Sequence, residues 1–179
     1  MALYRNGGFE ADSWTYPADD EMIRADGPVA LTKARFLGER ESLATRNAAL
    51  GLLLRSGEDL DGLEPDIARF ALIVLDIAKY NDGRLYSIAR LARERFGFKG
   101  ELRARGDILR DQIALLHRIG IDSFEIAHEG TIEALRSGEI VSVRRHYQRS
   151  ARDGAPLGLA PTKTLSAPGD LPGVGKSER

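Results

Sequence analysis

The chain contains no cysteine, and this absence excludes several kinds of chemistry at once. Iron–sulfur clusters are held by cysteine thiolates, and thiol catalysis needs a thiolate nucleophile. Disulfide bonds and all-thiolate zinc sites are excluded for the same reason. An iron–sulfur cluster or a catalytic thiol is therefore not part of this chain.

The chain also lacks a long hydrophobic run. No segment approaches the roughly 20 apolar residues of a membrane span. The first residues, 1–8, contain no basic stretch followed by an apolar one, as a secretory signal would. We therefore expect a cytoplasmic protein that does not contact a membrane. A length of 179 residues, 42% of them hydrophobic, fits one ordinary globular domain.

Most well-marked functional motifs are missing too. Neither GxGxxG nor GxxxxGK[ST] occurs, so a flavin or nicotinamide cofactor remains possible but has no motif to support it. The histidines, His117, His128 and His146, do not have metal-ligand spacing, and we expect no metal site. No GxSxG surrounds Ser87 or Ser123, so no catalytic residue is identified. Basic and acidic residues are interleaved and the sequence pI is about 6.3, which argues against nucleic-acid binding.

The centre of the chain alternates between strand and helix patterns. Residues 71–77 form a nearly continuous apolar run, typical of a strand buried on both faces in a parallel sheet. Helical spacing of apolar residues follows over 85–96, then a strand at 101–105, a helix at 107–119 and a strand at 122–127. This alternation predicts an α/β fold with a mostly parallel sheet built from successive βα units, either open or a fragment of a barrel.

The flanking segments carry weaker patterns. A turn at Asn6-Gly7-Gly8 between β-prone residues predicts a small hairpin within residues 1–27. Residues 150–179 are rich in proline and glycine and predict a disordered tail, which leaves 1–149 as a single α/β domain. We also predict strands at 28–32 and 49–54, and helices at 39–47, at 59–70 (beginning or kinked at Pro65) and at 131–136.

Charge is distributed unevenly. Residues 1–26 contain two basic and six acidic residues, whereas residues 84–118 contain nine basic and four acidic residues. The basic segment fits an acidic partner or a small anion, or it pairs with the acidic N-terminus of the same chain. Both alternatives remain open from the sequence.

Polar residues gather where the predicted strands end. Ligands of α/β sheets bind at the carboxyl ends of the strands, and helix N-termini there add unsatisfied N–H groups and a positive dipole end. We call the residues at three predicted strand ends together the cationic rim. The first two strand ends contribute Lys79, Tyr80, Asp82, Arg84, Tyr86, Arg103, Arg105, Asp107, Arg110, Asp111 and Gln112. The third strand end contributes Glu125 and His128. As a purely structural alternative, Asp82 and Asp107 are good N-cap residues.

Three long strings, residues 81–90, 97–107 and 109–113, resemble a bacterial family of uncharacterised proteins whose members are described as oxidoreductases involved in sulfite reduction. The resemblance covers most of the chain from Trp14 to Tyr147. It departs from the family pattern at two positions, where we expect Phe before Asp82 and Gly at position 85 but find Asn81 and Leu85. The loop is less flexible for this reason.

The resemblance implies a role beside the assimilatory sulfite reductase, in the pathway from sulfate to cysteine. By matching position, the family pattern falls on Asp82, Gly83, Arg84, Tyr86, Ser87, Arg90, Gly100, Glu101, Arg103, Gly106, Asp107, Asp111 and Gln112. The predicted anion- or partner-binding residues are Lys79, Asp82, Arg84, Tyr86, Ser87, Arg103, Arg105, Asp107, Asp111 and Gln112. We therefore expect an accessory protein that docks on sulfite reductase or its electron donor through the cationic rim. The alternatives are a small oxidoreductase with a bound flavin or nicotinamide, an enzyme that binds a sulfite-type oxyanion at Arg84, Arg103 and Arg105, or a purely structural or regulatory domain.

Overall fold

A computed structural model of the chain describes residues 1–77 and 83–138. These residues form one sheet of seven strands with helices packed on it. The strands are β1 (Ala2–Arg5), β2 (Gly8–Glu10), β3 (Val29–Thr32), β4 (Leu50–Leu54), β5 (Leu72–Ile77), β6 (Glu101–Gly106) and β7 (Ser123–Ile126). The helices are α1 (Lys33–Gly38), α2 (Arg84–Glu94), α3 (Arg110–Arg118) and α4 (Glu129–Arg136). Lys79, Tyr80, Asp82 and the predicted tail lie outside the described residues.

The strand order is β2-β1-β7-β6-β5-β4-β3. Strands β3 to β7 are parallel and adjacent in chain order, while β1 runs antiparallel to both β7 and β2. The predicted α/β fold with a mostly parallel sheet and an N-terminal hairpin is confirmed. The sheet is open, because β2 and β3 form two separate edges. The hairpin turn places Asn6 at φ 51° and Gly7 at φ 85°, the backbone that an Asn-Gly turn favours.

One face of the sheet is covered by the helices. Because consecutive parallel strands are neighbours and crossovers are right-handed, successive connections lie on the same face. Apolar side chains of α2, among them Leu85, Ala89 and Ala92, are buried in the main core with Ile73 and Leu75 of β5. The other face of the sheet therefore needs a different cover.

That cover is the segment 11–28, which we call the strap. It connects the edge strand β2 to the opposite edge strand β3, and its Thr15 accepts a hydrogen bond from the backbone N–H of Ala30 (2.9 Å). The ring of Trp14 lies on Gly51 of β4, so closely that a Cβ at this glycine would sit 2.9 Å from a ring carbon. Trp14 and Tyr16 pack against the small apolar cluster on this face. The strap thus takes the place of a second helical layer.

Two predicted helices are wrong. The segment 59–70 contains only a 3₁₀ turn at Ile67–Arg69, although the apolar residues that suggested a helix are buried. Gly62 has a left-handed backbone (φ 81°) and Pro65 follows it, so a continuous helix cannot form. In place of the helix predicted at 39–47, the structure has a 3₁₀ turn at Ser42–Thr45.

The helix α1 was not predicted. It begins directly after β3, where the hydroxyl of Thr32 accepts a hydrogen bond from the backbone N–H of Arg35 (3.3 Å) and caps the helix. Within residues 1–77 and 83–138, no helix is long and apolar enough to cross a membrane.

Candidate functional site

The parallel strands β3 to β7 all end at the same side of the sheet, which we call the carboxyl edge. The chain leaves β4 through Arg55-Ser56-Gly57, enters α2 at Arg84, and passes from β6 to α3 through residues 107–109. The loop after β4, the start of α2 and the loop after β6 lie side by side, because β4, β5 and β6 are neighbours in the sheet. The carboxyl edge is the position that ligands and partners of open α/β sheets commonly use.

Two neighbouring helices begin at this edge with an arginine. Arg84 is the first residue of α2 and Arg110 the first residue of α3, and both side chains are exposed. The first turn of α2 contains no acidic residue, and its N-cap, Gly83, offers no side-chain cap. In α3, Asp111 follows the arginine. Cationic side chains and two positive helix ends therefore coincide here.

The starts of α2 and α3 are in contact. Tyr86 of α2 forms a side-chain hydrogen bond with Gln112 of α3; burial raises the pKa of Tyr86, and this hydrogen bond opposes the shift. The Oε1 atom of Gln112 also accepts a hydrogen bond from the backbone N–H of Leu109 (3.1 Å). This glutamine caps α3, so the N-cap role expected for Asp107 is wrong. Asp107 lies half-buried in the preceding loop.

The loop after β4 completes the carboxyl edge. Arg55 accepts a hydrogen bond from the N–H of Glu58 (3.0 Å), and its own N–H donates to the Glu58 carboxylate (2.7 Å), which closes a tight turn. Gly57 in this turn has φ 91°, and a Cβ there would lie 3.3 Å from Nη1 of Arg84. Between the loop and Arg84 is a cavity of about 20 Å³, the size of one water molecule. Arg55 and Arg84 thus belong to one continuous surface.

Arg103 does not lie at the carboxyl edge. It is in the middle of β6 on the face under the strap, and only 1% of it is exposed. Its guanidinium donates to Oδ2 of Asp12 (2.7 Å), to the hydroxyl of Tyr16 (2.9 Å), to Oε1 of Glu101 (2.9 and 3.1 Å) and to the hydroxyl of Ser123 (3.3 Å). Burial opposes the charge of Arg103, but Tyr16 and the carboxylates outweigh it, so its pKa lies above the ordinary value.

Arg105 is held on the same face. Its guanidinium lies over the ring of Tyr16, 4.5 Å from the ring centroid, and its Nε is 3.6 Å from Oε1 of Glu125. The Tyr16 hydroxyl donates to Oε2 of Glu125 (3.0 Å). Burial raises the pKa of Tyr16, and Glu125 adds to the shift. Arg103 thus pairs with Asp12 of the acidic N-terminus, and Arg105 contacts Tyr16 of the same segment. For Arg103 the structure has the pairing within the chain that was one of the two alternatives left open by the charge distribution.

The predicted site is therefore divided by the sheet. On the helical side, the carboxyl edge brings together Arg84, Tyr86, Ser87, Asp107, Arg110, Asp111 and Gln112. Arg103 and Arg105 lie on the opposite face, so Arg84, Arg103 and Arg105 do not converge on one anion. Lys79, Tyr80 and Asp82 are outside the described residues.

Sequence reasoning missed two groups of residues. Arg55 and Ser56 follow a buried strand directly, and the rule that we applied to the later strand ends would have included them. Asp12 and Tyr16 reach Arg103 across 91 and 87 residues of chain. No local pattern marks such contacts, and the excess of acid in the N-terminus was their one signal.

A second, larger concavity lies at the opposite, amino edge of the sheet. It is an open pocket of about 550 Å³. Its wall is organised by Arg93, whose guanidinium donates to the carbonyls of Phe98 (2.7 Å), Gly100 (3.0 Å) and Gly120 (3.0 Å). These hydrogen bonds connect the loop before β6 to the loop before β7, so Arg93 has a structural role in this pocket. In the part of the chain that the structure describes, no group of three or more His, Asp or Glu residues could hold a metal ion.

The fold and the site define a class: an open α/β sheet with helices on one face and the strap on the other, and with arginines in the loops and helix starts of its carboxyl edge. The model of a bacterial family described as proteins of unknown function (DUF934) matches residues 51–158, more than half of the chain. The protein belongs to this family. No curated protein and no solved structure matches the chain.

Proposed function

We propose that the protein is an accessory protein of assimilatory sulfite reduction, which docks on sulfite reductase or on its electron donor through the arginines of the carboxyl edge. The pathway comes from the resemblance described above. The docking role rests on the structure of the edge. Arg103 is buried under the strap and does not belong to this surface. Among the described residues, the cationic side chains of the carboxyl edge are those of Arg84 and Arg110, with Arg55 beside them.

One observation carries this proposal: α2 and α3 both begin with an arginine. A cation at a helix N-terminus opposes the helix dipole and costs about 0.3–1 kcal/mol at an exposed site. Acidic residues would stabilise both positions, yet Arg84 and Arg110 occupy them on adjacent helices. Local rules are broken in this way mostly at functional sites. Recognition of an acidic surface explains the arrangement.

The edge also contains carboxylates. Asp107 and Asp111 lie in and after the loop between β6 and α3, next to Arg110. A mixed pattern of this kind orients a partner, because a partner surface with the wrong arrangement of charges meets like charge and is rejected. We therefore expect a partner that is acidic overall but carries basic residues opposite these aspartates.

Binding of the purified protein to sulfite reductase and to its electron donor tests the proposal. We expect Arg84→Glu/Arg110→Glu to weaken binding by about tenfold or more, because like charges then face each other across the interface. The matched control is Arg24→Glu/Lys99→Glu, which makes the same change in net charge at exposed positions away from the carboxyl edge. Equal binding by wild type and by the carboxyl-edge variant would overturn the docking role.

The alternative function is catalytic: a small oxidoreductase with a bound flavin or nicotinamide, or an enzyme that binds a sulfite-type oxyanion. What favours the oxyanion is Arg84 at the start of α2, where the N-cap residue Gly83 forms no side-chain cap, beside the loop of Ser56 and Gly57. Visible absorption of the purified protein detects a flavin. Calorimetric titration with sulfite and sulfate, compared between wild type and Arg84→Gln, tests the oxyanion.

A further inference from the structure

The middle of the strap reaches the carboxyl edge. Asp19 accepts a hydrogen bond from the hydroxyl of Thr32 through Oδ1 (2.6 Å), and its Oδ2 lies 3.3 Å from Nη2 of Arg55. Arg35 holds this part of the strap by donating to the carbonyls of Ala18 and Glu21. The strap therefore presents a carboxylate to an arginine of the proposed docking surface.

We infer that Asp19 is an internal occupant of the docking surface, and that a carboxylate of an acidic protein partner replaces it on Arg55. The inference rests on the proposed function and adds a contact that regulates the same surface. Arg55 is next to Arg84 through Gly57, so an acidic partner on Arg84 also reaches Arg55. The internal contact then competes with the partner.

The geometry of the Asp19–Arg55 pair allows a partner carboxylate to replace Asp19 on Arg55. The side chains of Asp19 and Arg55 are 48% and 57% exposed, and 3.3 Å is long for a charge-assisted hydrogen bond. Exposed ion pairs of this kind are weak. The hydrogen bond from the Thr32 hydroxyl is the largest single cause of the lowered pKa of Asp19, and it keeps the aspartate attached to β3 when Arg55 turns to a partner.

Neutralising Asp19 tests the inference. Asn at this position keeps an oxygen for Thr32 but no longer holds Arg55 by charge. The probe is a fluorescein-labelled hexaglutamate peptide, followed by anisotropy at about 0.01 M ionic strength, where the Debye length is about 30 Å. We expect Asp19→Asn to bind it about two- to fivefold more tightly than wild type, the range set by the strength of an exposed ion pair.

The matched control is Glu94→Gln. Glu94 is also 48% exposed and pairs with an arginine, Arg90, but it lies at the far end of α2. This variant changes net charge equally, so it measures the general electrostatic gain. When the protein already carries Arg55→Gln, adding Asp19→Asn should tighten peptide binding no more than Glu94→Gln does.

The inference is overturned if Asp19→Asn binds no more tightly than Glu94→Gln, or if its gain persists in Arg55→Gln. The same variants are then measured on sulfite reductase and its electron donor. If neither partner binds wild type, the proposed function fails, while the peptide titration still decides whether Asp19 occupies the surface.

Discussion

Replacing Arg103 with methionine is expected to lower the free energy of unfolding by about 3–5 kcal/mol, because it removes a buried cation that joins the strap to the sheet. Methionine keeps most of the side-chain volume but donates no hydrogen bond. Asp12 and Tyr16 on the strap and Glu101 and Ser123 on the sheet then lose their shared partner.

For Arg103→Met we expect a loss of unfolding free energy in the lower part of this range. Glu101 retains a hydrogen bond from Ser123 (2.6 Å) and an ion pair with Arg5 (3.2 Å), so its charge is still compensated. The side chain of Asp12 is already 23% exposed, and it gains more water if the strap moves away. The loss therefore falls mainly on the contact between the strap and the sheet, and we expect about 3 kcal/mol.

Urea denaturation with two probes measures this loss. Trp14 is the chain's single tryptophan and lies in the strap, so its fluorescence reports the strap, whereas far-UV circular dichroism reports the sheet and helices. In wild type the two transitions should coincide, as in a two-state protein. In Arg103→Met the fluorescence transition should occur at lower urea than the circular dichroism transition.

Arg90→Met is the control. Arg90 is 67% exposed and forms a surface pair with Glu94, so its loss should cost less than about 0.5 kcal/mol. If Arg103→Met shifts the unfolding midpoint no further than Arg90→Met does, the account of Arg103 as the link between strap and sheet is wrong.

Three further predictions concern the strap. Gly51→Ala should displace the Trp14 ring, shift its emission to longer wavelength and cost about 1–3 kcal/mol in urea denaturation, because the new methyl group overlaps the ring. Thr32→Val should move the pKa of Asp19 up towards its ordinary value in a carboxyl NMR titration, since the threonine hydroxyl is the largest cause of its lowered pKa; an unchanged value would contradict this. Burial raises the pKa of Tyr16, so the stability that this tyrosine contributes is present below about pH 10 and is lost as the pH rises above it. The unfolding free energy of wild type should therefore fall between about pH 9 and 11, and Tyr16→Phe should make that fall smaller.

Local patterns predicted the centre of the fold. The apolar run at 71–77 became β5, and the Asn-Gly turn became the hairpin of β1 and β2, since both features depend on neighbouring residues alone. The segment 59–70 shows the limit of periodicity. Its apolar side chains are buried as those of a helical face would be. The left-handed backbone of Gly62 interrupts the helix, so a non-helical backbone brings these side chains into the same core.

The site was harder to predict. Glu101, Arg103 and Arg105 alternate with the apolar residues Leu102 and Ala104 of β6, and this period of two places all three on one face of the sheet. That pattern was visible in the sequence and argues against Arg103 at a strand end. Which segment covers that face depends on contacts distant in sequence, and charge balance alone could not identify Asp12 as the partner of Arg103.

The strap has a consequence for the boundaries of the family. The matched segment begins at residue 51 and contains Arg103, but the residues that cover this arginine, Asp12 and Tyr16, precede it. A chain trimmed to the matched segment would expose a buried cation and lose both β3 and the hairpin from its sheet. The region by which relatives are recognised is therefore smaller than the unit that folds, and a relative that keeps an arginine at this place in β6 needs a covering segment of its own.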